Sequence, residues 1–176
     1  MTDKLTTPKL RRIVEKALTE DEKLLACLDS LSVWAADNAG KMLTKRNTPE
    51  GWIVRREYGM THLETEAYYY GRFRTPEPKG PRASLLVAHQ EANVYLPAAG
   101  DWGDLTMWRT RAAEAIERRE ALLADPAQLR AIVRALNAAR AALAGIAEVL
   151  PWDVPDRHAM IEAAGLGDVK TGRLCL

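Results

Sequence analysis

Two short patterns, His62-Leu63-Glu64 and His89-Gln90-Glu91, each set an imidazole and a carboxylate two residues apart. Residues two apart on a strand share a face, so each pair presents both groups together. If the pairs converge, they offer two nitrogens and two carboxylates to a divalent cation, whose bound water can be ionised for hydrolysis. A metal-dependent hydrolase built on His62, Glu64, His89 and Glu91 is therefore one alternative. The spacing is common by chance and no third segment supplies an obvious base. Surface polar side chains, with no metal and no cofactor, are the expectation.

A second constellation is richer. All five tyrosines, the one phenylalanine and two of the three histidines lie between Trp52 and Pro97. Read as a strand, Glu66 to Arg74 alternates so that Tyr68, Tyr70, Arg72 and Arg74 fall on one face and Ala67, Tyr69, Gly71 and Phe73 on the other, buried one. Arg56 and Tyr58 extend the first face from the preceding strand. Lys79 and Arg82 add cations from a proline-rich loop over Thr75 to Arg82. These eight residues (Arg56, Tyr58, Tyr68, Tyr70, Arg72, Arg74, Lys79 and Arg82) form the candidate partner-binding surface, since tyrosine and arginine anchor protein interfaces and also stack on bases and meet phosphates. From Lys41 to Arg82 there are nine basic and five acidic residues. An excess of four is modest for a nucleic-acid surface, and no RNP-like motif accompanies it. The structural alternative is that tyrosine and arginine pair across strands and stabilise the sheet without binding anything.

The elements that must position these residues follow from periodicity. Helical spacing predicts a helix over 8–18 and, from a Thr19/Glu22 capping box, a second one through Ala35 that Asn38 and Gly40 end. Three antiparallel strands are expected at Trp52–Tyr58, Glu66–Arg74 and Ala83–Leu96. Asp104 is read as the cap of a helix to about Leu123. Asp125 and Pro126 start another to about Leu150, and the two make an antiparallel hairpin. Arg119 and Arg140 project into apolar stripes and need a partner or an exit to water. The last helix also carries a small-residue stripe, Ala131, Ala135, Ala138 and Ala142 among it, which is a candidate homodimer seam. A short helix over 156–164 and a tail complete the chain.

The expectation is thus one α+β domain: helical over 8–43, a β-rich insert over 52–97, a helical hairpin over 104–150 and a short helix and tail over 156–176. A chain of 176 residues is long enough to bury a core without disulfides, and Cys27 and Cys175 show neither metal-ligand spacing nor a disulfide framework. A net charge of +1 gives no global pull toward nucleic acid or anionic lipid. No apolar run approaches a membrane span and no apolar leader is read, so the expected location is the cytoplasm. Phosphate-binding loop, dinucleotide, nucleophile-elbow and zinc-protease signatures are all missing, and no catalytic residue is assigned. Seventeen arginines against eight lysines, with abundant alanine, suggest a GC-rich bacterial or phage coding sequence. The functional expectation is a non-enzymatic accessory protein that binds a protein or nucleoprotein complex, as an inhibitor or adaptor. Nucleic-acid binding through the arginine and tyrosine face is the other alternative.

Overall fold

The computed structural model describes the backbone of residues 4–149 and the side chains of residues 4–142. The expected helix over 156–164 and the tail lie outside the described residues. The elements run α1 (Thr7–Asp37), β1 (Trp52–Glu57), β2 (Met60–Thr65), α2 (Glu66–Gly71), β3 (Ser84–Ala88), a 3-10 turn (Ala99–Asp101), α3 (Gly103–Ala124) and α4 (Pro126–Val149). The fold class is α+β, with one three-stranded antiparallel sheet in the order β1-β2-β3. Among the described residues no helix is long and apolar enough to cross a membrane.

The described residues form two compact units, one of residues 14–121 and one joining the first turns of α1 to residues 122–149. In the smaller unit, Asn137 brackets the backbone of Leu5, accepting from its N–H at 3.2 Å and donating to its carbonyl at 2.9 Å. Arg11 donates to the Leu123 carbonyl. Asp125 caps α4 as its sequence predicts, accepting from the amides of Ala127 and Gln128. Ala131, Ala135, Ala138 and Ala142 are exposed along α4, and so is Arg140.

The larger unit holds the sheet. Its core is Leu28, Leu31 and Ala35 of α1 with Leu43, Trp52, Leu63, Leu85, Val94, Leu96, Trp102 and Leu105. The 31-residue α1 is one helix, not two. Thr19 does not cap; its hydroxyl donates to the Glu15 carbonyl one turn back, which lets the helix pass through a residue that would otherwise start one. The end at Asn38 and Gly40 is as expected, with Gly40 at φ +76°. Arg119 finds its partner in Asp21 at 2.9 Å.

The sheet departs from its predicted boundaries. Thr65 is the turning point: its hydroxyl accepts from the Ala83 amide at 3.1 Å, closing β2 on the far strand, and from the Tyr68 amide at 3.4 Å as the N-cap of a helix. The middle strand is therefore Met60–Thr65, and Glu66–Gly71 is helical. Three contacts four residues apart hold that turn. Arg72 lies over the Tyr68 ring at 4.6 Å, Arg74 over Tyr70 at 4.1 Å, and Phe73 stacks at 5.7 Å from Tyr69. The arginine and tyrosine pairs exist, but along a helix and not across strands. The expected long third strand also divides: β3 ends at Ala88, and Tyr95 returns as an isolated bridge to Met42.

Candidate functional site

The two faces of the sheet carry different chemistry. Pairing Trp52 with Thr65, Val54 with Leu63 and Leu63 with Leu85 puts an apolar set on the core side. The other face joins Arg55 to His62, Ile53 to Glu64, Glu64 to Ser84 and His62 to Leu86. Glu64 has no exposed surface. Its Oε1 accepts from Arg55 Nε at 2.7 Å and Ser84 Oγ at 2.9 Å, and Arg72 of the α2 end approaches to 3.6 Å. Its Oε2 and both ring nitrogens of His62 are buried without a hydrogen bond.

Burial pushes the His62 imidazole below the usual histidine range; Arg55 and Arg72 act in the same direction, against Glu64 and Asp104. The unfolded chain takes its proton near pH 6.5 and the folded chain only at lower pH. Between those values the unfolded state binds more protons, so stability is fully present above the unfolded value and falls as pH drops through the folded one. His62→Phe keeps a ring and removes two unpaired polar atoms. The fall in urea midpoint between about pH 7.5 and about pH 5.5 should be smaller in the variant than in the parent. Equal falls would place the titrating group elsewhere.

The two histidine and glutamate pairs do not come together as a cation site. His62 sits inside β2, whereas His89 follows β3 and is exposed. Glu91 is used locally, accepting from the Gly59 amide at 2.7 Å to brace the β1–β2 turn. Among the described residues no three His, Cys, Asp or Glu side chains gather as metal ligands. Asp104, expected to cap α3, instead accepts from the Leu86 amide at 2.9 Å.

That last bond exposes an asymmetry between the sheet edges. In β3 the outward N–H of Leu86 is satisfied by Asp104. In β1 the two-residue turn Tyr58-Gly59, with φ +52° and +71°, makes Glu57 and Met60 a hydrogen-bonded pair, and the alternation then turns the N–H and C=O of Val54 and Arg56 away from β2. No other described group bonds to them. A groove of about 590 Å³ borders Val54, Arg55 and Arg56. Three consecutive strand residues face alternate sides, so a groove touching all three runs along the backbone edge. It is also lined by Met42, Leu43, Thr44, Lys45 and Asn93, and by Tyr69 of α2. A second cavity of about 310 Å³ continues past Ile53, Thr48 and Tyr70.

Large apolar side chains stand open in the same unit: Tyr58 at 85 % exposure, Phe73 at 71 % and Tyr95 at 62 %. Tyr58 is informative because a left-handed backbone costs a non-glycine residue about 1 kcal/mol, yet its ring packs on almost nothing. Asparagine would suit that turn better.

The eight residues proposed from sequence are dispersed. Arg56 borders the groove and donates to the Leu43 carbonyl at 3.1 Å; Tyr70 lines its continuation; Tyr58 is at the tip of the hairpin. Arg72 turns toward Glu64, and Arg74 covers Tyr70. Lys79 and Arg82 belong to a separate cleft with Lys16, Glu20 and Lys23 of α1. Sequence reasoning missed Met42, Lys45, Val54 and Tyr69. The i to i+4 spacing of tyrosine with arginine was the signal for the helix that places Tyr69.

No family model, curated protein or solved structure matches the chain.

Proposed function

We propose that this protein works by binding a protein partner in the groove beside β1, without catalysing a reaction. The observation that carries the reading is an unpaired strand edge facing a groove walled by Met42, Lys45, Val54, Arg56, Tyr69 and Tyr70. Strand edges left open attract another chain, and proteins ordinarily blunt them. Aromatic, methionine and arginine side chains are the residue types enriched at protein interfaces. The nucleic-acid reading gains less support, because the Tyr68 and Tyr70 rings are each already covered by an arginine four residues on and have one less face for a base.

Site-specific photo-crosslinking tests the reading. A benzoylphenylalanine at Tyr69, Tyr58 or Phe73 should trap one protein adduct in the cells where the chain is normally made. The same probe at Val33, an equally exposed apolar position on α1, should not. Identical adducts from Val33, or adducts that a nuclease removes, would refute protein docking at the groove.

A further inference from the structure

We infer that the groove takes an extended, acidic segment of the partner, which pairs with β1 as a fourth strand of the sheet. This inference rests on the proposed protein binding and specifies its geometry and chemistry.

The geometry comes from the edge. Val54 and Arg56 each direct one donor and one acceptor into the groove, the pattern that an added strand satisfies with two pairs of backbone hydrogen bonds. Of the usual protections β1 has charged side chains, Arg55, Arg56 and Glu57, but neither a proline nor a bulge. Residues 52–57 contain no proline and no lysine, the register irregularity of the sheet lies between β2 and β3, and no described backbone group pairs with the outer side of Val54 or Arg56. At the opposite edge Asp104 takes up the Leu86 amide. A side chain bonded to the β3 edge, and none bonded to the backbone of β1, make β1 the more open of the two edges.

The chemistry comes from charge. The residues bordering the groove and its continuation include Lys45, Arg55 and Arg56, and no aspartate or glutamate is among them. Arg55 is already paired with Glu57 and Glu64 on the other face of the sheet. Lys45 is exposed and has no carboxylate partner among the described residues, and Arg56 meets only a neutral carbonyl. A strand laid along β1 projects alternate side chains to the two sides. Val54 and Arg56 share a face, so one side of the added strand offers an apolar residue to Val54 and, two positions on, a carboxylate to Arg56, and a further carboxylate meets Lys45. The same cations raise the encounter rate of an acidic segment and repel a basic one.

The test uses the full chain and a displayed library of random peptides of about eight residues, enough to span an ordinary strand. Selected sequences should be enriched in Asp and Glu. The Val54 and Arg56 amides should exchange fast in the free chain, and binding of the best synthetic peptide should protect them. Methylating alternate peptide nitrogens should abolish binding, and Lys45→Glu should weaken it about tenfold. No enrichment, enrichment of basic or uncharged peptides, or indifference to N-methylation would overturn the inference. So would recovery of sequences matching residues 150–176 of this chain, which would assign the groove to its own tail. If crosslinks still map to the groove while these assays fail, strand addition falls and groove docking stands. If crosslinking fails as well, both fall.

Discussion

Replacing Glu64 by alanine is expected to destabilise the protein by about 3 kcal/mol, at the lower end of what breaking a buried ion pair costs. The carboxylate is wholly buried and holds three groups at once: Arg55 Nε, Ser84 Oγ and, more loosely, Arg72. Removing it leaves the Arg55 guanidinium half-buried with only the exposed Glu57 beside it. That remaining partner is why the loss should not reach the top of the range. The Arg72 contact adds little, being long and partly in water. Replacing both charges, as in Arg55→Met with Glu64→Leu, should recover most of the loss, since an apolar pair needs no desolvation of ions. Equilibrium urea unfolding of the two single variants and the double one measures this directly. A Glu64→Ala loss below about 1 kcal/mol would mean that water reaches the site and screens Arg55.

One residue earlier on the same strand the logic inverts. Leu63 faces the opposite side, fully buried among Trp52, Leu85 and the α1 leucines. Leu63→Ala removes three buried carbons and leaves a cavity in a close-packed region, at a cost of about 3 kcal/mol. Leu63→Met, which nearly conserves volume, should cost less than about 1.5 kcal/mol. The same unfolding measurement applies, and equal costs for the two substitutions would show that packing at this site is loose. Adjacent residues of β2 thus hold the sheet by unrelated means, one through buried charge and the other through excluded water. Glu64 holds Arg55, which borders the groove, so crosslinking is read on the folded Leu63 variants, where no groove residue is replaced, to separate stability from binding.

Periodicity in the sequence carried the helices. The recurrence of Val14, Leu28, Leu31 and Ala35 along α1, the Asp125-Pro126 start of α4 and the Asn38-Gly40 stop of α1 all act within a few residues, where backbone sterics and capping decide the outcome. The antiparallel meander was legible too, from aromatic and β-branched runs separated by turns. Its middle strand was misplaced because Glu66 to Arg74 fits two periods: alternation gives a tyrosine and arginine face, while a spacing of four gives Tyr68 with Arg72 and Tyr70 with Arg74. Thr65 settles the choice. Its hydroxyl is fixed by the Ala83 amide eighteen residues away, and a contact at that distance leaves no local trace. Thr19 shows the converse, a residue with a capping spacing that the surrounding helix simply absorbs.

The groove belongs wholly to the tertiary structure. Met42, Lys45, Val54, Arg56 and Tyr69 come from three separate segments, and nothing in their spacing joins them. The sequence by itself determined that aromatic and basic residues concentrate in a short β-rich insert, because composition and local propensity are properties of the chain. That the Leu86 amide on the β3 edge is taken was decided only when Asp104 reached it, because a hydrogen bond across the fold depends on where helices dock and not on what their residues prefer.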